Sequence, residues 1–325
     1  MTYAIKIHNT GGPEVLSWEE YDPGTPGEGE ALVTHEAVGL NFIDVYHRTG
    51  FYPLSEFPVV PGLEGAGRIE SVGKGVKDFS EGDRVAYAGI PLGAYAEKRC
   101  IPAHRLVKLP EPISTRDAAG MMLQGMTARY LLRGCFKVAP GNTILIHAAS
   151  GGVGSILCQW ANHIGAVTIG TVGSQEKATK AKKNGCTHTI LYQEEDFQTV
   201  VQDLTKGQGV DVVYDSVGKT TFMKSLDCLR PMGTMVSFGQ SSGSIGPFDI
   251  SLLAAKGSLF LTRPSLMQYT AVREDLLAHA QDLFEVVTSG AVKIDITHEY
   301  ALKDAAQAHR DLEGRRTTGS SVLLP

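Results

Sequence analysis

The sequence predicts an α/β protein with two parts: a mostly β part near its start and a doubly wound parallel sheet covered by helices. Three observations carry this expectation. From Asn142 onward, nearly wholly apolar strand segments alternate with longer helical stretches, as in a sheet buried on both faces. Residues 1–120 instead read as short strands broken by proline and glycine. One apolar strand then runs into the glycine-rich turn His147-Ala148-Ala149-Ser150-Gly151-Gly152-Val153-Gly154, which opens a helix.

In chain order, YAIKIHN, EALVTHEAV, GRIESVG and DRVAYAG are the early strands. Near residue 115 the texture changes. DAAGMMLQGMTARYLLRGCFKV places Met121, Met122, Met126, Tyr130 and Leu131 at helical spacing and stops at Ala139-Pro140-Gly141-Asn142, which predicts a helical hinge segment. The strand segments TILIHA, AVTIGTV, HTILY, VDVVYDSVG and GTMVSFG then alternate with VGSILCQWANHIG, QEKATKAKKNG, DFQTVVQDLTKG and TFMKSLDCLRP, so right-handed crossovers follow. GSLFLTRPS reads as a strand, REDLLAHAQDLFEVVTSG as a helix, VKIDITHEYAL as a strand, ALKDAAQAHRDLEGRR as a helix and SSVLLP as a last strand. This final segment has the texture of the first part and is expected to rejoin it, giving boundaries at 1–125, 126–262 and 263–325.

Composition narrows the function. The 325 residues are enough for about two domains with large cores. The formal charge of -5 gives no case for nucleic acid or an anionic membrane as the main partner. Cys100, Cys135, Cys158, Cys186 and Cys228 form no CxxC cluster, so neither a disulfide scaffold nor a zinc knuckle is expected. MTYAIKIHNTGGPEV reaches charge and turn residues too soon for a signal peptide, and a cytoplasmic location is expected. The 37 glycines follow no G-X-Y period, so turns and close backbone approaches must require them.

The turn supplies one reason. Read as A-x-G-x-x-G, it has Ala149 to close the turn, Gly151 to admit a pyrophosphate and Gly154 to bring helix and sheet together. The N–H groups around Gly152 and Val153, with the positive helix end, would hold the phosphates. At the end of the next strand Gly173-Ser174-Gln175-Glu176-Lys177 carries no acid at the tip. Ser174 and Lys177 therefore favour a 2'-phosphate, and NADPH is expected over NADH. Tyr192, Ser216, Gly218, Phe238, Gly239 and Ser241 follow other strand ends, where ligands lie in open α/β sheets.

Taken with GGPEVL (11–16), GLNFIDVYHRTGFYP (39–53), PGLEGAGRIESVG (61–73), GDRVAY (82–87), YDSVG (214–218), VSFGQSSG (236–243) and TRPSL (262–266), the sequence resembles the quinone oxidoreductase, or zeta-crystallin, branch of the medium-chain dehydrogenase/reductase superfamily. The resemblance implies a GroES-like, mostly β catalytic domain built from both chain ends and a Rossmann domain between them, paired as a homodimer. It implies NADPH-dependent quinone reduction without metal, with semiquinone as an accessible product. By motif, Asn41 resembles the residue beside the nicotinamide, and Tyr46 and Tyr52 resemble aromatics lining the catalytic cleft. These three are the candidate catalytic residues. Ser174, Lys177 and Tyr192 match the residues around the adenosine phosphate and ribose, Phe238, Ser241 and Arg263 match later cofactor-facing loops, and Arg315 aligns with a C-terminal cofactor arginine beside Arg316. Zinc-dependent relatives have a cysteine ligand where this chain has Asn41 and a histidine where it has Leu63, so no zinc is expected.

A quinone needs electrons more than a strong base, and the protein's task is then placement and exclusion of water. Asp44 and Glu64 invite a general-acid reading, against which a structural role, ordering backbone N–H groups or an arginine, is preferred, and His47 is a proton-donor candidate for which a surface or packing role is preferred. The alternative enzyme is an NADPH-dependent enal or enoyl-thioester reductase. A non-catalytic role, as an abundant structural protein or an RNA binder, is disfavoured as the sole one by the intact NADPH-site residues, and the absence of a broad basic excess leaves nucleic-acid binding as a secondary activity only. The GSLFLTRPS strand is the expected edge at which two copies would pair.

Overall fold

The broken, alternating pattern of the first hundred residues folds as strands in the computed structural model, which describes all 325 residues. These are β1 (Tyr3–Lys6), β2 (Ser17–Glu20), β3 (Glu30–Leu40), β4 (Glu64–Val72), β5 (Arg84–Ala88), β6 (Lys98–Pro102) and β7 (Val107–Lys108), with helix α1 (Phe42–Thr49) directly after β3. The sequences SWEE and KRCIP are too polar to read as strands alone, yet β2 pairs with β1 and β6 with the first half of β3. Cross-strand hydrogen bonds override their weak local pattern.

The predicted helical hinge is broken. Gly120 ends α2 (Thr115–Ala119), a second helix, α3, runs Met122–Tyr130, and a π-helical turn covers Leu131–Cys135. Beyond it lie β8 (Thr143–Ile146), α4 (Gly152–Ile164), β9 (Val167–Val172), α5 (Gln175–Lys183), β10 (His188–Leu191) and α6 (Phe197–Leu204). They are followed by β11 (Val210–Asp215), α7 (Phe222–Asp227), β12 (Leu229–Ser237), α8 (Ser251–Ala255) and β13 (Phe260–Thr262). These strands form one six-stranded sheet in the order β10-β9-β8-β11-β12-β13, parallel throughout. The chain runs outward in opposite directions from β8 and β11, which makes their carboxyl ends the topological switch point. Leu145, Ile169, Ile190, Val213 and Met235 fill one apolar cluster of this sheet.

The last elements are α9 (Leu266–Tyr269), α10 (Arg273–Thr288), β14 (Ile296–Ala301), α11 (Ala305–Glu313) and β15 (Ser320–Leu324). β15 pairs parallel with β14 and antiparallel with β3, in a sheet ordered β14-β15-β3-β4-β5-β7. One edge of β3 is thereby shared, residues 30–34 taking β6 and residues 38–40 taking β15. The chain divides into two units, residues 1–126 with 269–288 and 294–325, and residues 127–268 with 289–293. Residues 289–293 join the second unit because Gln159 Nε2 donates to the Lys293 carbonyl at 3.0 Å and Lys293 N–H donates to Gln159 Oε1 at 2.8 Å. No helix is long and apolar enough to cross a membrane.

Candidate functional site

In the second unit, β8 ends at Ile146 and the chain turns through Ala148, whose φ of 54° is left-handed, before α4 begins. Gly154 is where the helix meets this turn. A Cβ there would stand 2.3 Å from the Ala148 carbonyl oxygen and 2.8 Å from the Ala149 Cα. Gly151 is the N-cap in extended backbone, with φ -77°, and its Cβ would come no closer than 3.3 Å to the same oxygen. The N–H groups of Gly152, Val153 and Gly154 occupy the first turn and have no intrahelical acceptor. Together they form an anion cradle.

At the end of β9, Ser174 caps α5 by accepting the Lys177 N–H at 3.3 Å, and its own O–H remains a donor. The Tyr192 hydroxyl lies over Gly173, where a Cβ would come within 2.8 Å of it. Ser174, Lys177 and Tyr192 are therefore neighbours. At the end of β11, Asp215 is buried and accepts Val217 N–H at 2.7 Å and Gly218 N–H at 3.0 Å on Oδ1, while Thr221 Oγ1 donates to Oδ2 at 2.7 Å. Asp215 thus shapes the loop bearing Ser216 and Gly218, and the sequence reading passed over it. Its signal was an acid ending an apolar strand with N–H groups just after it, the Asx-turn pattern. The Asp215 carbonyl accepts Phe238 N–H, Ser216 O accepts Ser241 N–H, and a Cβ on Gly239 would lie 2.5 Å from Ser216 O. Arg263 donates to the Ser237 carbonyl at 2.8 Å, which brings it to the same strand ends.

In the first unit, Asn41 lies between β3 and α1 and is 5% exposed. Its Nδ2 donates to Glu64 Oε2 at 2.6 Å, its Oδ1 accepts from Gln124 Nε2 at 3.2 Å, and Ser320 Oγ donates to Gln124 Oε1 at 2.7 Å. Gln124 escaped the sequence reading because its partners are far away in the chain. Tyr46 on α1 packs against Phe42 at 5.4 Å, Phe51 at 5.2 Å and Tyr52 at 5.0 Å between ring centroids. His47 packs against Tyr52 at 5.9 Å, and burial lowers its pKa. Arg315, with left-handed φ of 57°, stands two residues beyond Glu313, while Arg316 is bound to Asp311.

Both suspected carboxylates order backbone N–H groups, and neither pairs with an arginine. Glu64 accepts Leu123 N–H at 2.8 Å, and Asp44 accepts Asn41 N–H at 2.9 Å and the Tyr95 hydroxyl at 3.0 Å. The arginine of this region, Arg48, is instead 1% exposed and forms a two-pronged bond to Glu313 at 2.8 Å. Arg48 also meets His309 Nδ1 at 3.2 Å, and Tyr95 meets His309 Nε2 at 3.0 Å. Arginine only donates, so Nδ1 accepts and Nε2 carries the hydrogen that goes to Tyr95. Burial, reinforced by the Arg48 charge, holds the His309 pKa down to about 3, which keeps the ring neutral. Burial raises Asp44 to about 7 and Glu64 to about 8 against the hydrogen bonds that favour their ionised forms. No group of three or more His, Cys, Asp or Glu side chains is arranged to hold a metal ion.

Comparison with known proteins agrees with this architecture. A family model described as alcohol dehydrogenase GroES-like domain matches residues 27–111, and one described as zinc-binding dehydrogenase matches residues 152–280. The chain is 48% identical to quinone oxidoreductase from Pseudomonas aeruginosa over 325 residues, covering 100% of both proteins. It is 47% identical over 331 residues to a 2-haloacrylate reductase from Burkholderia sp, covering 100% of this chain and 99% of that protein. The crystal structure of Escherichia coli quinone oxidoreductase complexed with NADPH matches with a TM-score of 0.98 and 47% identity, covering 100% of both chains. The chain belongs to the quinone oxidoreductase family of the medium-chain dehydrogenase/reductase superfamily.

Proposed function

We propose that this protein is an NADPH-dependent quinone oxidoreductase. The observation that carries the proposal is the full-length match, at TM-score 0.98, to a quinone oxidoreductase complexed with NADPH. The residues of this chain fit that cofactor. The Gly154 contact leaves no room for a larger residue beside the phosphate turn, the first N–H groups of α4 are available to a pyrophosphate, and no acid at the end of β9 repels a 2'-phosphate. In this reading Ala149, Gly151, Gly152, Val153 and Gly154 hold the pyrophosphate. Ser174, Lys177 and Tyr192 take the adenosine phosphate, and Ser216, Gly218, Phe238, Gly239, Ser241, Arg263 and Arg315 line the rest of the cofactor.

Bound NADPH supplies the reducing equivalents, donated from its nicotinamide C4. The protein's part is placement. Asn41 presents an amide whose two ends are already bonded to Glu64 and Gln124, so it offers a preset direction to the nicotinamide or the acceptor. Tyr46 and Tyr52 offer ring faces for stacking and hydroxyls to charge developing on an acceptor oxygen. In this reading no metal takes part. We further assign catalysis to residues 1–125 and 263–325, a cytoplasmic location, and a homodimer paired along β13. That strand ends its sheet and leaves Phe260 63% exposed.

The 47% identity to a 2-haloacrylate reductase favours reduction of an activated carbon–carbon double bond as the second reading. A stopped-flow screen of NADPH oxidation with 1,4-benzoquinone, 9,10-phenanthrenequinone, 2-chloroacrylate and crotonyl thioester separates the two. A quinone is expected to give the highest kcat/KM, and preference for the acrylate or thioester overturns the proposal. Sedimentation giving the mass of a single chain at working concentration overturns the dimer.

A further inference from the structure

His147 opens the phosphate turn and is 1% exposed. Its ring spans two hydroxyls: Nδ1 meets Thr171 Oγ1 at 2.9 Å, and Nε2 meets Ser225 Oγ at 2.9 Å. Ser225 lies on α7, and its hydroxyl reaches Asp215 Oδ2 over 3.4 Å. Phe197, at the start of α6, packs edge to face with the imidazole at 4.9 Å between centroids. Burial lowers the His147 pKa against the pull of the Asp215 charge, which favours the neutral ring. A neutral ring offers one donor and one acceptor, and a hydroxyl gives or takes, so both bonds hold in either tautomer.

The sheet explains why these polar groups meet. Register sets Ile169, Leu145 and Val213 side by side, all in the apolar cluster of the sheet. Side chains return to the same face every second residue, so Thr171, His147 and Asp215 form the next row toward the carboxyl ends. The paired part of β8 stops one residue short of that row, at Ile146, which faces Gly170 on one side and Tyr214 on the other. Past it, the phosphate turn grips Thr171 at two points, by the Ala149 N–H to its carbonyl at 3.1 Å and by the His147 ring to its hydroxyl. On its other edge β9 stays paired with β10 as far as Val172 and Leu191, so the two strands carry Ser174, Lys177 and Tyr192 as one piece. The grip on Thr171 therefore sets where that piece stands relative to the first turn of α4.

The pyrophosphate and the 2'-phosphate of one dinucleotide are joined through a single ribose. A protein holds both at once only when its two sites keep the matching separation. We propose that His147 is a positioning residue for cofactor choice: its bond to Thr171 holds the end of β9 where Ser174 and Lys177 reach a 2'-phosphate while α4 holds the pyrophosphate. This inference rests on the placement of the 2'-phosphate at Ser174 and Lys177. NADPH and NADH share the pyrophosphate, so a general loosening of the fold weakens both alike and cancels in their ratio. A displaced β9 end weakens NADPH alone.

The test is fluorescence titration of the whole protein with NADPH and with NADH, read as the ratio of the two Kd values. Thr171→Val removes the hydroxyl and keeps the branched shape, whereas Thr171→Ser keeps the hydroxyl. His147→Phe keeps a ring against Phe197 and removes both hydrogen bonds. The preference for NADPH is expected to fall at least about threefold in Thr171→Val and in His147→Phe, the scale of one lost neutral hydrogen bond, and to hold within about twofold in Thr171→Ser. Thr171→Val decides the matter even if His147→Phe does not fold. An unchanged preference in Thr171→Val or in folded His147→Phe, or an equal fall in Thr171→Ser, overturns the proposal. Lys177→Glu is titrated alongside. If it leaves the preference unchanged, the placement of the 2'-phosphate fails and the inference falls with it. If Lys177→Glu lowers the preference and Thr171→Val does not, the role of His147 alone fails.

Discussion

Replacing Gly154 by alanine tests how tightly the phosphate turn is built. The added Cβ would stand 2.3 Å from the Ala148 oxygen, 2.8 Å from the Ala149 Cα and 3.0 Å from the Ala148 carbonyl carbon. An ordinary C···O contact is about 3.3 Å or more, so the helix and turn must separate by about 1 Å. All three obstacles are backbone, and no side-chain rotation relieves them. Overpacking of this kind costs about 1–3 kcal/mol, offset by up to about 1 kcal/mol from alanine's better helix propensity. The displaced atoms are also the proposed phosphate ligands. Loss of one charged hydrogen bond, worth about 1.5–3 kcal/mol, raises Kd for NADPH about 10- to 100-fold. Fluorescence titration with NADPH and a thermal melt of the cofactor-free protein measure the two effects. Gly151→Ala is the control, because its Cβ meets nothing nearer than 3.3 Å and its φ of -77° suits any residue. It is expected to melt like the unsubstituted protein yet bind NADPH more weakly, since only an approaching phosphate would meet its methyl. If Gly154→Ala keeps Kd within twofold and melts at the same temperature, the turn is not the close-packed cradle described.

Lys177→Glu is expected to lower the NADPH-to-NADH ratio of kcat/KM about 10- to 100-fold, and an unchanged ratio removes Lys177 from the phosphate site. Asn41→Ala and Tyr52→Phe are each expected to reduce kcat/KM at limiting quinone by about tenfold, the scale of one lost neutral hydrogen bond, and unsubstituted rates in both remove their assigned roles. Glu64, raised from 4.5 to about 8, and Asp44, raised from 3.8 to about 7, bind more protons folded than unfolded. Their contribution to stability is full below pH 4 and is lost as pH rises through 7 and 8, so melts should show a downward trend there that Glu64→Gln weakens. Glu313→Ala strips the carboxylate from the buried Arg48 guanidinium and is expected to destabilise by about 3 kcal/mol, whereas a loss below about 1 kcal/mol would place that pair among weak surface bridges.

What could be read in advance was local. The phosphate turn is a strand, a glycine turn and a helix inside one short stretch, so its residue types announce its geometry. The apolar strands ending at Ile146, Val172, Leu191, Asp215 and Ser237 were legible for the same reason, and with them the loops that follow. What escaped the reading depends on partners distant in sequence. Gln124 is unremarkable until Ser320 and Asn41 flank it, and Arg48 looks like a solvated helix residue until α11 delivers His309 and Glu313. Strands β2 and β6 are polar segments made regular by β1 and β3. Asp44 and Glu64 were legible as structural acids, but their raised pKa values come from burial that only the tertiary fold creates.

The place of β15 beside β3 has a consequence for biosynthesis. Val38, Gly39 and Leu40 wait for Leu323, Val322 and Ser321, partners synthesised long after them. Residues 127–268 are complete well before then and can fold on the nascent chain, whereas the first sheet keeps an open edge until β15 has emerged. The emergence of β15 is therefore also the moment at which Ser320 reaches Gln124. A chain truncated before Ser320 would keep its glycine turn intact but have a gap beside β3 and no hydroxyl against Gln124.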